Sequence, residues 1–174
     1  MKILIIAVVI GFVYLLGAYN SLTRQRNRVR QAASGIDVYL TERFDLIPNL
    51  VECVKGYAKH EKDIFTTITK MRENYYQSRQ LKDGEILNNE VNKVIAVSEN
   101  YPELKASEQF LELQRKLSKL ESQLQAARRI YNSEINIYNN SVQTFPKKLI
   151  AGLFNFKELE YFEAENEAKS NIKL

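Results

Sequence analysis

His60-Glu61 opens like the H-E-x-x-H of a zinc protease, where two histidines one helical turn apart share a metal. Ile64 stands where the second histidine would be, and His60 is the only histidine in the chain. A two-histidine site is therefore out of reach, and His60 reads instead as marking a corner between helices. Cys53 is the only cysteine, which excludes an internal disulfide and any multi-cysteine metal site. It lies beside Val54 on an apolar helical pattern with no base close in sequence, the setting of a semi-buried structural thiol rather than a nucleophile. Asp45, Asn49 and Glu52 share one polar helix face. Paired carboxylates can do acid–base work or bind a cation, but a solvated face is what an amphipathic helix presents anyway. Tyr131, Asn132, Asn136, Tyr138, Asn139 and Asn140 form a polar-aromatic cluster. Asn is a poor helix former, so something beyond propensity favours it there. Hydrogen bonding between helices and a binding surface both remain open. No G-x-S-x-G, P-loop or G-x-G-x-x-G occurs. The expectation is no catalytic residue, no metal, no cofactor and no small-molecule substrate.

The charge balance adds little chemistry. Among 174 residues, 25 Lys+Arg against 21 Asp+Glu leave a net charge of +4, too mild and dispersed for a nucleic-acid module of this size. Six Gly and three Pro are too few for a turn-rich β protein. What the sequence describes is architecture, beginning with a membrane segment.

Residues 3–19 read ILIIAVVIGFVYLLGAY, without a charge. At 1.5 Å per residue the run is about 25 Å, somewhat short of a hydrocarbon core of about 30 Å. Asn20 to Thr23 can carry the same helix through the headgroup layer. Signal-peptide cleavage after Ala18 would leave Leu16 at −3, where a small residue is needed, and no lipoprotein cysteine is present. The segment is therefore expected to be an uncleaved anchor, with Ile3, Ala7, Gly11, Tyr14, Ala18 and Tyr19 marking its course. Ala7, Gly11 and Ala18 fall on one face, and Ala7 to Gly11 is a small-xxx-small spacing that lets helices approach closely. Arg24, Arg26, Arg28 and Arg30 follow with no acid before Asp37. This bias puts the C-terminal side in the cytoplasm, with an extracytoplasmic domain as the alternative. The same four arginines can meet anionic headgroups.

Beyond the anchor the pattern is helical. Val29, Ala33, Ile36, Leu40, Phe44, Ile47, Val51, Val54 and Ala58 are spaced by three and four, one continuous apolar stripe. Pro48 should kink this first helix rather than end the pattern. Ile64, Ile68, Met71 and Tyr75 predict a second helix over about 61–80, and Asp83-Gly84 a turn. Leu87, Val91, Val94, Ser98 and Tyr101 predict a third, stopped by Pro102, with Ser107 as N-cap of the next. Phe110, Leu113, Leu117, Leu120, Leu124, Ala127 and Tyr131 give the fourth a coiled-coil-like seam, extended by Ile130, Ile137 and Tyr138 to Phe145-Pro146. Helix one is expected to run roughly 60 Å and helix four nearly as far.

The expected fold is thus all-α. An N-terminal transmembrane helix (1–22) leads into an elongated antiparallel helical bundle (23–146), and a C-terminal amphipathic, aromatic tail helix (147–174) closes the chain. Two long helices form the bundle, with a shorter helical hairpin packed at its distal half. Near the membrane only two helices remain, and they need a further partner: the tail, a second copy or the membrane surface. The tail carries Phe145, Lys147, Lys148, Leu153, Phe154, Phe156, Tyr161 and Phe162. It suits a short helix that closes the bundle, an interfacial segment with aromatics in the acyl boundary, or a protein-binding surface. Residues 163–174 look like a polar, frayed end.

Three stretches, RFDLIPNLVECVKGYAKHE from Arg43, YPELKASEQFLELQ from Tyr101 and YNSEINIYNNSVQTFPKKLIAGLFNFKELEYFEAE from Tyr131, together resemble the LemA family. The resemblance covers nearly the whole chain. It implies a bacterial single-pass membrane protein with a long antiparallel helical domain, and no known catalytic residue. It also implies membrane and envelope roles, a magnetosome-membrane relative among them. Some members look like lipoproteins, and this chain departs from those in lacking the cysteine. The reading of function is a non-enzymatic scaffold in the bacterial inner membrane that contacts lipid, self-associates into a homo-oligomer, and organises or shapes the bilayer. The alternative is an adaptor that holds another membrane protein, such as a membrane protease, through its helical domain.

Overall fold

The computed structural model describes residues 1–57, 62–98 and 100–162. Ala58, His60, Glu61 and the frayed end expected over 163–174 lie outside the described residues. Among the described residues, seven helices follow one another and no strand occurs: α1 (Lys2–Phe44), α2 (Ile47–Lys55), α3 (Lys62–Ser78), α4 (Leu81–Ser98), α5 (Pro102–Lys105), α6 (Glu108–Gln143) and α7 (Lys147–Leu153). The chain divides into two compact units. One is built from Met1–Ala32 and the chain from Arg128 onward; the other is Ala33–Ala127. α1 and α6 contribute to both, whereas α2 to α5 belong to the second alone.

In the second unit the apolar stripe read from the sequence is the core. Ile36, Leu40, Phe44, Ile47, Val51 and Val54 are buried, with Ile68, Tyr75, Leu87, Val91 and Val94 from α3 and α4 and Phe110, Leu117 and Leu124 from α6. Pro48 does more than kink the first helix. α1 ends at Phe44, a turn takes up Asp45-Leu46, and α2 starts afresh with the proline in its first turn. A proline has no N–H to give the carbonyl four residues back, which here is that of Phe44. Arg72 Nε supplies the missing donor at 2.9 Å, and its Nη2 reaches Asp45 Oδ1 at 3.2 Å. The stripe survives the break because Phe44 and Ile47 keep their spacing across it.

The turn expected at Asp83-Gly84 lies four residues earlier. Arg79, with φ of 51°, closes α3 through its N–H to Tyr75 O at 2.8 Å. Gly84 is inside α4 for a packing reason: a Cβ there would come 2.7 Å from Leu40 Cδ1 and 2.8 Å from Tyr75 Cε2. Glycine lets the helices close over the Tyr75 ring, which also meets Phe44 edge-on at 5.0 Å. The third helix ends at Ser98, ahead of Pro102, and that proline opens α5 instead of stopping α4. α6 begins directly after Ser107, as expected of a cap position.

Among the described residues, one charged side chain is buried in this core. Arg43 is almost fully buried and pairs with Glu121, while its Nη2 donates to Asn92 Oδ1 at 2.5 Å. Asn88, also buried, donates to the same Glu121 at 3.4 Å. The buried line on α6 then runs Leu124, Ala127, Ile135, Tyr138, Val142. Ile130 and Ile137, expected to extend the seam, are 58% and 42% exposed. At 3.6 residues per turn they fall one position off the line that Ile135 and Tyr138 follow.

Candidate functional site

The first unit carries most of the residues singled out for membrane contact, and its core explains where they go. Ala18, Leu22 and Val29 from α1, Ile135, Tyr138 and Val142 from α6, Ile150 and Ala151 from α7, and Phe156 beyond it form one buried cluster. The partner needed by two bare helices is therefore the chain's own C-terminal segment. The expected tail helix is short, however: α7 stops at Leu153, and the described chain runs on to Phe162 without helix.

That last segment is held by asparagines. Asn139 Nδ2 donates to Leu159 O at 2.8 Å while its Oδ1 accepts from Leu159 N at 2.9 Å. Asn132 repeats the arrangement on Phe162, at 2.9 and 2.8 Å. Each carboxamide thus pairs with both backbone groups of one residue, as a neighbouring strand would. Seven residues of helix separate the two asparagines, about 10.5 Å. Three extended residues separate their targets, about 10 Å, so the spacings match. Asn139 meets the earlier residue of the tail and Asn132 the later one, so the strap runs antiparallel to α6. Tyr138 Oη adds a bond to Lys157 O at 2.9 Å, and Tyr161 Oη donates to Asn136 Oδ1 at 3.2 Å. Burial raises the pKa of both Tyr131 and Tyr138, opposed at Tyr138 by the charge of Arg26. The polar-aromatic cluster noted in the sequence is occupied in this clasp. The exact doubling on Asn132 and Asn139 was not legible, because the signal was only an unusual density of asparagine in a helix.

The other residues divide by side. Ile3, Ala7, Gly11 and Tyr14 lie exposed along α1, whereas Ala18 is buried in the cluster. Tyr19 is at the border, its ring 4.9 Å from Phe154 and 5.7 Å from Phe156. Arg24, Arg28 and Arg30 have exposed side chains, but Arg26 is half-buried with its guanidinium 5.0 Å from the Phe156 ring centre. Arg26 thereby packs against the tail, unlike the other three. Phe162, half-buried, has Arg128 at 5.1 Å and Tyr131 at 6.4 Å. Lys147 Nζ donates to Ser21 Oγ at 3.1 Å, and Lys148 is exposed. Leu149 and Leu153 are 67% and 70% exposed, on the side of α7 away from buried Ile150 and Ala151, and Phe145, in the turn before α7, is 80% exposed.

In the second unit, Asp45 accepts from Tyr76 Oη at 2.6 Å as well as from Arg72. Asn49, Glu52 and Cys53 line an open groove of about 580 Å³ together with Tyr57, Ser107 and Lys116. Burial, and then the charge of Glu52, push the Cys53 thiol above its ordinary range, the opposite of an activated nucleophile. Among the described residues, no three His, Cys, Asp or Glu side chains gather where they could hold a metal ion.

Among the described residues, one helix is long and apolar enough to cross a membrane, at the N-terminus. The LemA family model matches residues 32–174. The chain is 25% identical to Protein LemA of Metamycoplasma hominis, over 88% of this chain and 72% of that one. It is 22% identical to Magnetosome protein MamQ 2 of Paramagnetospirillum magneticum, over 94% and 71%. To Magnetosome protein MamQ of Magnetospirillum gryphiswaldense it is 20% identical, over 93% and 71%.

Proposed function

The chain belongs to the LemA family, and we propose that it is a non-enzymatic membrane-anchored scaffold that self-associates and organises the bilayer of the bacterial inner membrane. The observation that supports this reading is the uncharged run along α1, whose large side chains from Ile3 to Val13 are each more than half exposed in the folded protein. A soluble protein does not leave a helix of such side chains in water, because the apolar area would cost on the order of 25 cal/mol per Å². Within that run Ala7 and Gly11 lie one turn apart with nothing near Gly11, so a second helix can approach closely. The asparagine-tyrosine cluster holds the protein's own tail. Two of the similar proteins carry magnetosome names, which agrees with a role at a membrane. Arg24, Arg26, Arg28 and Arg30 favour a cytoplasmic helical domain.

The test is the mass and shape of the full-length protein taken from native membrane, by size exclusion with light scattering and then negative-stain imaging. A regular homo-assembly several times the 20.2 kDa protomer is expected. A strict monomer would overturn the scaffold and turn the search to a held membrane protein, the adaptor reading.

A further inference from the structure

We infer that the exposed face of α7, with Leu149 and Leu153, lies in the headgroup–acyl boundary of the same bilayer that α1 crosses. This rests on the anchor proposed above. The two side chains are spaced by four, so they share one side of the helix, opposite buried Ile150 and Ala151, and exposed Phe145 stands in the turn just before it. What covers that side follows from where α7 sits on α1. Its first residue, Lys147, reaches Ser21, and Phe154, just past its last, packs on Tyr19. The helix is about 10 Å long, yet its two ends meet α1 within two residues, about 3 Å of rise. α7 therefore crosses α1 rather than following it. The same follows from connectivity, since α7 joins α6 to a strap that runs back antiparallel to it.

The depth is fixed by the anchor. The apolar run ends at Tyr19, and Asn20, Ser21 and Thr23 follow. A membrane-crossing α1 places residues 19–21 at the interface, where amphipathic rings settle. A helix lying crosswise at that level, apolar on one side and tied to the protein on the other, has the bilayer edge as its neighbour. Exposed Lys148 and Arg24 can reach headgroups from the same level.

The test uses full-length protein in phosphatidylcholine–phosphatidylglycerol vesicles, with an environment-sensitive fluorophore on single cysteines in a Cys53→Ser background. Labels at Leu149→Cys and Leu153→Cys are expected to lose fluorescence to lipids carrying a nitroxide at the fifth acyl carbon, and less to the twelfth. A label at Val8→Cys should respond to the deep quencher, and one at Glu160→Cys only to aqueous iodide. Iodide quenching at both α7 positions, with Val8 still lipid-quenched, would overturn the inference and leave the anchor standing. Protection of α7 from both quenchers would overturn it in favour of a second protein copy on that face. Loss of lipid quenching at Val8 would overturn the anchor, and this inference with it. The labelled positions are exposed, so the fold is not at stake.

Discussion

Arg72 Nε donates to the carbonyl of Phe44 at 2.9 Å, the acceptor that Pro48 leaves without its helical partner. A side chain 28 residues away thus completes the backbone of a broken helix. Arg72→Ala should lower stability by about 1.5–3 kcal/mol, the range for hydrogen bonds to a charged group. In a Pro48→Ala background, where residue 48 regains an N–H, the same substitution should cost less. A denaturant double-mutant cycle checks this, and strict additivity would show that the two residues act separately.

Two glycines in helices should answer oppositely to alanine. Gly84→Ala places a methyl against the buried Leu40 and Tyr75 side chains and should cost about 1–3 kcal/mol. Gly35→Ala meets open space in α1 and should gain about 0.5–1 kcal/mol from helix propensity alone. Thermal melts of the two variants in the same detergent make the comparison.

The clasp on the tail can be opened one residue at a time. Asn139→Ala removes both bonds to Leu159 and should cost about 1–3 kcal/mol. Asn139→Asp keeps the acceptor for the Leu159 N–H but sets a carboxylate against its carbonyl, so it should open the strap nearly as far. Amide exchange at Leu159 and tryptic cleavage after exposed Lys157 are the readouts, and both should accelerate.

Alkaline pH should strike the second unit through Tyr75. Burial raises its pKa most, followed by the hydrogen bond to Asp37 and that carboxylate's charge. The folded value lies above the unfolded one, so the stabilisation is complete below the ordinary tyrosine pKa of about 10 and is lost as pH climbs past it. Stability should therefore fall more steeply above that pH than in Tyr75→Phe, whose slope lacks this contribution. Denaturant midpoints across the range decide the point.

Orientation can be read from Cys53, which is half-exposed and is the only thiol. A membrane-impermeant maleimide should label it in inverted inner-membrane vesicles and not in intact spheroplasts. Because burial and Glu52 raise the thiol pKa, the rate should keep increasing with pH beyond the range where an ordinary cysteine levels off. Labelling in intact spheroplasts would place the helical domain outside the cytoplasm.

The helices and the stripes they bury were legible in the sequence, since a 3.6-residue period and proline or glycine punctuation are local properties. The apolar N-terminal stretch of α1 was legible for the same reason, as its length and lack of charge sit in one uninterrupted run. Ile36, Leu40 and Val54 fell where their spacing put them, and Asp45, Asn49 and Glu52 stayed on the exposed side. The tertiary structure alone decided what pairs across long separations. Arg72 was matched to the carbonyl that Pro48 freed, Gly84 to the Tyr75 ring, and Asn132 and Asn139 to a tail that left the helical pattern. It also divided the tail, sending Ile150 and Phe156 inward and leaving Leu149 and Leu153 outside. Periodicity assigns a residue to a face of its own helix. Which partner meets that face depends on where the rest of the chain returns, and a local spacing does not carry that.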